Sequence, residues 1–106
     1  MVEQGNLERI VDKYGQEYML RQLAEECAEL AQAALKLIRV QHMEGTPVEP
    51  VFARARLMNE VADVSLMLDV TSRALLTDQE RAAVEWEAQA KANRMINRLL
   101  GGDVSV

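Results

Sequence analysis

MNEVADVSLMLDV, residues 58 to 70, reads as a helix whose apolar face also carries acid. At roughly 100° per residue, counted from Leu57, a broad apolar arc takes in Val61, Val64, Met67, Leu68 and Leu75, and Glu60 and Asp63 fall within it. Burying an unpaired carboxylate costs several kcal/mol unless it is protonated, paired or bound to a metal. A helix that keeps two acids on its inner side therefore needs something for them to face.

Outward from this stretch, breakers divide the chain into four helical pieces. Asn6 can cap a short first helix over LERIVDKY, which Gly15 ends. From about Gln16 to His42 there is no Gly or Pro, and Leu20, Leu23, Ala24, Cys27, Leu30, Ala31, Ala34 and Ile38 recur at helical spacing. EGTPVEP, residues 44 to 50, is the one clear loop, although Thr46 and Glu49 have capping-box spacing, so the third helix starts as early as Pro47 and runs to about Leu76. Thr77 with Glu80 forms a capping box that opens a fourth helix, which reaches about Leu100 before Gly101 and Gly102 stop it. The tail DVSV frays. With short links and no β-hairpin signal, the expectation is an all-α protein: an antiparallel helical bundle of three long helices plus a short N-terminal one, forming a single domain over residues 1–106.

Composition sets outer limits. Few aromatics, two prolines and five glycines among 106 residues favour helix, and a core this small leaves room for a partner subunit to complete it. Seventeen acidic against twelve basic residues give a net charge of −5, which argues against binding a nucleic acid polymer through its phosphates. Nucleotides held through metal ions are not excluded by that charge. No apolar run approaches the roughly 20 residues of a membrane span, and MVEQGNLERIVDK has no signal-peptide pattern, so a cytoplasmic location is expected. The one cysteine, Cys27, permits no intramolecular disulfide, and its place on the apolar stripe reads as core.

The second piece carries its own acids in QLAEECAELAQAALK, residues 22 to 36. Glu26 and Glu29 are three apart, as are Glu60 and Asp63, and such residues share a helix face. For EECAE alone the plain reading is a solvated face; for Glu60 and Asp63 the plain alternative is an ion pair, with Arg54 or Arg56 as partner. Packing the second and third helices antiparallel by their apolar faces would bring Glu26, Glu29, Glu60 and Asp63 together. Four carboxylates at one point repel and raise one another's pKa values, so a divalent cation is the natural complement. Oxygen donors favour a hard ion, Mg²⁺ or Mn²⁺. A di-iron bundle would show Glu-x-x-His motifs, and the only histidine, His42, lies in none.

Glu25-Glu26-x-x-Glu29, followed after a loop by Glu60-x-x-Asp63, resembles the EExxE…ExxD signature of the all-α nucleoside triphosphate pyrophosphohydrolases, in particular their MazG-like members. Leu30 after the first motif and Val64 after the second strengthen the resemblance, which covers most of the chain. It implies Mg²⁺-dependent cleavage of a nucleoside triphosphate between the α and β phosphates, giving a monophosphate and pyrophosphate, in a homodimer or homotetramer. Carried over by position, Glu26, Glu29, Glu60 and Asp63 are the metal ligands and Glu25 a less secure member. Glu25 or Glu29 is the candidate catalytic base.

Polyphosphate also needs cationic or amide donors. Lys91, Arg94 and Arg98 share one sector of the fourth helix, and the resemblance adds Asn97; the plain alternative is a basic face that suits the helix C-terminus. Lys36, two turns beyond Glu29, is a further phosphate candidate, and Gln22, one turn before Glu26, could read a base edge. Tyr14, Tyr18, Phe52 and Trp86 could stack on a base, but helical spacing favours core for them. The contrasting functional expectation is a non-catalytic helical module that binds nucleotide or protein without turnover.

Overall fold

A computed structural model describes residues 1–42 and 50–101, which form three α-helices: α1 (Gln4–Gln41), α2 (Pro50–Leu75) and α3 (Asp78–Leu99). Among the described residues there is no strand, as an all-α chain requires. The loop pair Thr46 and Glu49, a helix start at Pro47, and Gly102 with the DVSV tail fall outside the described residues. The chain divides into two compact units, Met1–Leu75 and Leu76–Val106.

In the first unit α1 and α2 pack against each other along most of their length. Met19 meets Val70 in one buried cluster, while Leu37 and Val40 meet Ala53 in another. Rising numbers on α1 thus pair with falling numbers on α2, so the helices are antiparallel. The sequence basis is a heptad-like alternation of four- and three-residue steps. On α1 the inward positions are Met19, Leu23, Glu26, Leu30, Ala33, Leu37 and Val40; on α2 they are Ala53, Leu57, Glu60, Val64, Met67, Thr71 and Ala74. All fourteen are buried or half-buried. Each series has one acid, at its third place.

This seam lies one residue away from the stripe expected on α1. Leu20, Ala24, Cys27, Ala31 and Ile38 are exposed, whereas Leu23, Leu30 and Ala34 are half-buried. Cys27 is therefore an exposed free thiol rather than a core residue. The apolar arc of α1 is broader than one neighbouring helix can cover, and α2 settles on the edge of it that contains Glu26. On α2 the same shift leaves Met58, Val61 and Leu68 exposed. Asp63 is half-buried at the flank of the seam while Glu60 is inside it.

Gly15 breaks α1 with φ 80° and ψ 169°, a conformation open essentially to glycine alone. Leu7 and Met19 would stand about 18 Å apart in a straight helix, yet both contribute to the cluster at Val70, so the chain must turn back at Gly15. The residues before it form the expected short helix. Its first residue is Gln4 and its N-cap is Glu3, whose carbonyl accepts from the Leu7 N–H at 2.9 Å. Asn6 therefore lies inside the helix and does not cap it. Arg73 ties this arm down, donating to the Val2 carbonyl at 2.5 Å and to Gln4 Oε1 at 3.2 Å while paired with Asp69.

The second unit is α3. Its capping box forms as the sequence indicates, with Thr77 Oγ1 accepting from the Glu80 N–H at 3.1 Å and the Thr77 N–H donating to Glu80 Oε1 at 2.9 Å. Asp78 pairs with Arg81, and Gly101 at φ 66° ends the helix. None of its residues is buried. No described helix is long and apolar enough to cross a membrane.

Candidate metal centre

The two seam acids meet midway between the apolar clusters. Ligand oxygens of Glu26, Glu60 and Asp63 lie within 4.8 Å of one another. Glu60 is 5% exposed, and its two oxygens have different surroundings. Oε1 faces Arg56 Nε at 3.4 Å, while Oε2 is buried without a hydrogen-bond partner among the described residues. Glu26 Oε2 is likewise buried and unpartnered. Burial first, and then the charges of Glu29, Asp63 and Glu60, hold the Glu26 carboxyl above the ordinary carboxylate range.

Such a group suits a divalent cation on three counts. Its donors are all carboxylate oxygens, with neither sulfur nor imidazole among them. They stand on two helices locked at both ends by apolar packing, so their spacing is preset. Two buried oxygens lack hydrogen-bond partners among the described residues, a cost that a cation would offset. The ion pair proposed from sequence as the plain alternative is also present, through Arg56 rather than Arg54, but it engages only one oxygen of Glu60.

The remaining sequence candidates on α1 have a simple geometric relation to this centre. In an antiparallel pair, residues just before the seam positions of both helices face one side, and residues just after them face the other. Gln22, Glu25, Glu29 and Lys36 each precede a seam position on α1, as Asp63 does on α2. They share one polar flank. Glu29 is exposed beside Glu26 and outside the closest trio, so the structure brings together three of the four expected ligands, with Glu29 at their edge. Glu25 is exposed and accepts from Gln22 Nε2 at 3.4 Å. Lys36 lines a groove of about 250 Å³ with Gln32, Ala33, Arg39 and Arg56. Arg39 and Arg56 were not among the sequence candidates for phosphate. The signal that finds them is the register, since both stand one residue before a seam position.

Lys91, Arg94 and Asn97 belong to α3, in the second unit. Arg94 lines a groove with Trp86, Gln89, Ala90 and Asn93, whereas Lys91 lines another with Val84 and Glu87; Asn97 is half-buried. The aromatics depart from the core expectation. Tyr14, Tyr18, Phe52 and Trp86 are all exposed, the last by 76%; on α1 and α2 the seam holds no aromatic side chain. Tyr14 and Tyr18 stack on each other with ring centroids 4.7 Å apart.

Compared with models of protein families, with curated proteins and with solved structures, the chain finds no match.

Proposed function

We propose that the protein is a Mg²⁺-dependent nucleoside triphosphate pyrophosphohydrolase of the MazG-like kind, cleaving between the α and β phosphates to release a monophosphate and pyrophosphate, with Mn²⁺ as an alternative cation. The observation that carries this reading is the cluster of Glu26, Glu60 and Asp63, in which Glu60 is buried and keeps one oxygen without a hydrogen-bond partner among the described residues. The order of acids along the chain, EExxE then ExxD, supports it independently. A cytoplasmic nucleotide pool is the setting such an activity implies.

Glu26, Glu60 and Asp63 would hold the ion, with Glu29 completing the set or acting beside it. When bound, the cation would neutralise phosphate charge and acidify a coordinated water. Glu29 or Glu25, both exposed on the polar flank, takes the proton of the water as its oxygen bonds to the α-phosphorus. The bond from that phosphorus to the bridging oxygen breaks, and pyrophosphate leaves with the electron pair. Gln22, whose Nε2 donates to Glu25, is the candidate for reading a base edge. Lys91, Arg94 and Asn97 remain the candidates for phosphate contacts from α3.

The flank opposite the acids supports a homodimer or homotetramer. Leu20 and Ile38 of α1 and Met58, Val61 and Leu68 of α2 follow seam positions, share that flank and are each about half exposed or more. A second copy laid on it would bury a continuous apolar surface. Light scattering should then report a mass at least twice the 11.9 kDa of one chain.

A second reading, a non-catalytic nucleotide-binding or interaction module, draws on the Arg56–Glu60 ion pair as a purely structural use of Glu60. Pyrophosphate release from a panel of canonical and modified NTPs and dNTPs with Mg²⁺ or Mn²⁺ separates the two. Release from at least one member supports the hydrolase; no release from any of them leaves the module.

A further inference from the structure

Beyond the carboxylates, the polar flank changes sign. Moving along α1 from Glu29, the residues that precede seam positions are Gln32, Lys36 and Arg39, and α2 contributes Arg56 from the facing side. The three cations and Gln32 line one groove of about 250 Å³. Among the described residues, neither Lys36 nor Arg39 pairs with a carboxylate; the ion pairs are Arg21–Glu17, Arg56–Glu60, Arg73–Asp69 and Arg81–Asp78. Lys36 and Arg39 thus stand beside Arg56 without counter-charges of their own, and an anion relieves the repulsion among the three.

The groove is continuous with the acid cluster, because Arg56 belongs to both. Its Nε faces Glu60 Oε1 at 3.4 Å, and its side chain also lines the groove. The opposite end of the same flank is occupied differently. There the N-terminal arm packs on Val70 and is held by Arg73, two more residues that precede seam positions. The flank is thus closed at one end, acidic in the middle and cationic at the other end.

We infer that Lys36, Arg39 and Arg56 form a subsite for the distal phosphates, so that a nucleoside triphosphate lies along the α1–α2 flank with its leaving pyrophosphate over these cations and its base toward Gln22. This rests on the pyrophosphohydrolase reading for the direction of the nucleotide, while the anion site itself stands on the groove. Guanidinium forks match phosphate oxygens in pairs, and Lys36 adds a mobile point charge. The separation also fits. Glu29 and Lys36 are about 11 Å apart along the helix axis, and the long Lys36 side chain shortens that gap.

The test is calorimetric titration of the full chain with inorganic pyrophosphate in Mg²⁺. The double variant Lys36→Gln with Arg39→Gln should bind pyrophosphate at least about tenfold more weakly, yet keep its Mg²⁺-induced rise in melting temperature. Arg21→Gln, which removes a cation paired with Glu17 elsewhere on α1, controls for general loss of charge and should leave binding within about twofold. No pyrophosphate binding by the wild type up to millimolar concentration overturns the subsite, as does unchanged affinity in the double variant. The two readings fail separately. If the wild type hydrolyses no nucleotide but binds pyrophosphate through Lys36 and Arg39, the subsite stands without the reaction. If the double variant hydrolyses nucleotide with unaltered KM, the subsite falls and the hydrolase stands.

Discussion

The ends and the middle of the α1–α2 seam obey one spacing rule with opposite chemistry. At one end Met19 packs with Val70 beside the seam and with Leu7 of the N-terminal arm, and at the other the inward Leu37, Val40 and Ala53 pack together. Midway, the same inward positions hold Glu26 and Glu60. The ends gain free energy by leaving water, at about 25 cal/mol per Å² of apolar surface. The middle loses it, because carboxylates leave water without full compensation. Packing at the two ends thus holds apart and in place the groups that would otherwise repel or swing into solvent.

The largest effect should come from breaking an end. Met19 is 1% exposed, and Met19→Ala is expected to cost about 2–5 kcal/mol. Urea unfolding should show that loss equally with EDTA and with Mg²⁺, since the cluster contains no ligand. A loss that depended on Mg²⁺ would mean that ends and middle are not separable.

The middle should respond in the reverse way. Glu60→Gln keeps the shape of the side chain but ligates a hard cation poorly. It should abolish the Mg²⁺-induced stabilisation, about 2.7 kcal/mol at a hundredfold excess over Kd, together with most of the hydrolytic activity, while leaving the metal-free protein as stable as the wild type or more so. If Glu60 served only its pair with Arg56, the substitution would destabilise the protein with or without metal. Thermal melts of both proteins in EDTA and in Mg²⁺ decide between these outcomes.

A smaller effect concerns protons. The Glu26 carboxyl titrates above its ordinary range, so in metal-free protein the folded state binds more protons than the unfolded state between the ordinary and the raised value. Its contribution to stability therefore rises as pH falls from neutral through the raised value and levels off below the ordinary one. Glu26→Gln removes this dependence. In EDTA the melting temperature of the variant should exceed that of the wild type near neutral pH, and the gap should narrow as the pH is lowered.

Several features were readable from residue order. Thr77 and Glu80 announced their capping box, Gly15 announced the break before the long helix, and Glu60 could be recognised as buried because acid sits in an apolar arc. Each depends on neighbours within one or two turns. The stripe on α1 was misplaced by one residue because Leu20, Ala24, Cys27, Ala31 and Ile38 are as apolar as the positions actually buried. Propensity and periodicity rank both stripes alike; only docking on α2 separates them. Nor does residue order mark Arg39 and Arg56 as neighbours in one groove, since a residue's flank is defined by the seam and not by its own helix.

The sequence by itself determined the helices, their breaks and the two acid pairs, because hydrogen bonding along a helix and side-chain spacing of three or four are local matters. Tertiary structure alone decided which edge of each apolar arc turns inward. That choice brings half-buried Glu26 against Glu60 and Asp63, leaves Glu29 at the rim and lines up Lys36, Arg39 and Arg56 along one groove. It is made by the fit of two helices to each other, and a one-residue turn of either would exchange the polar flank for the seam.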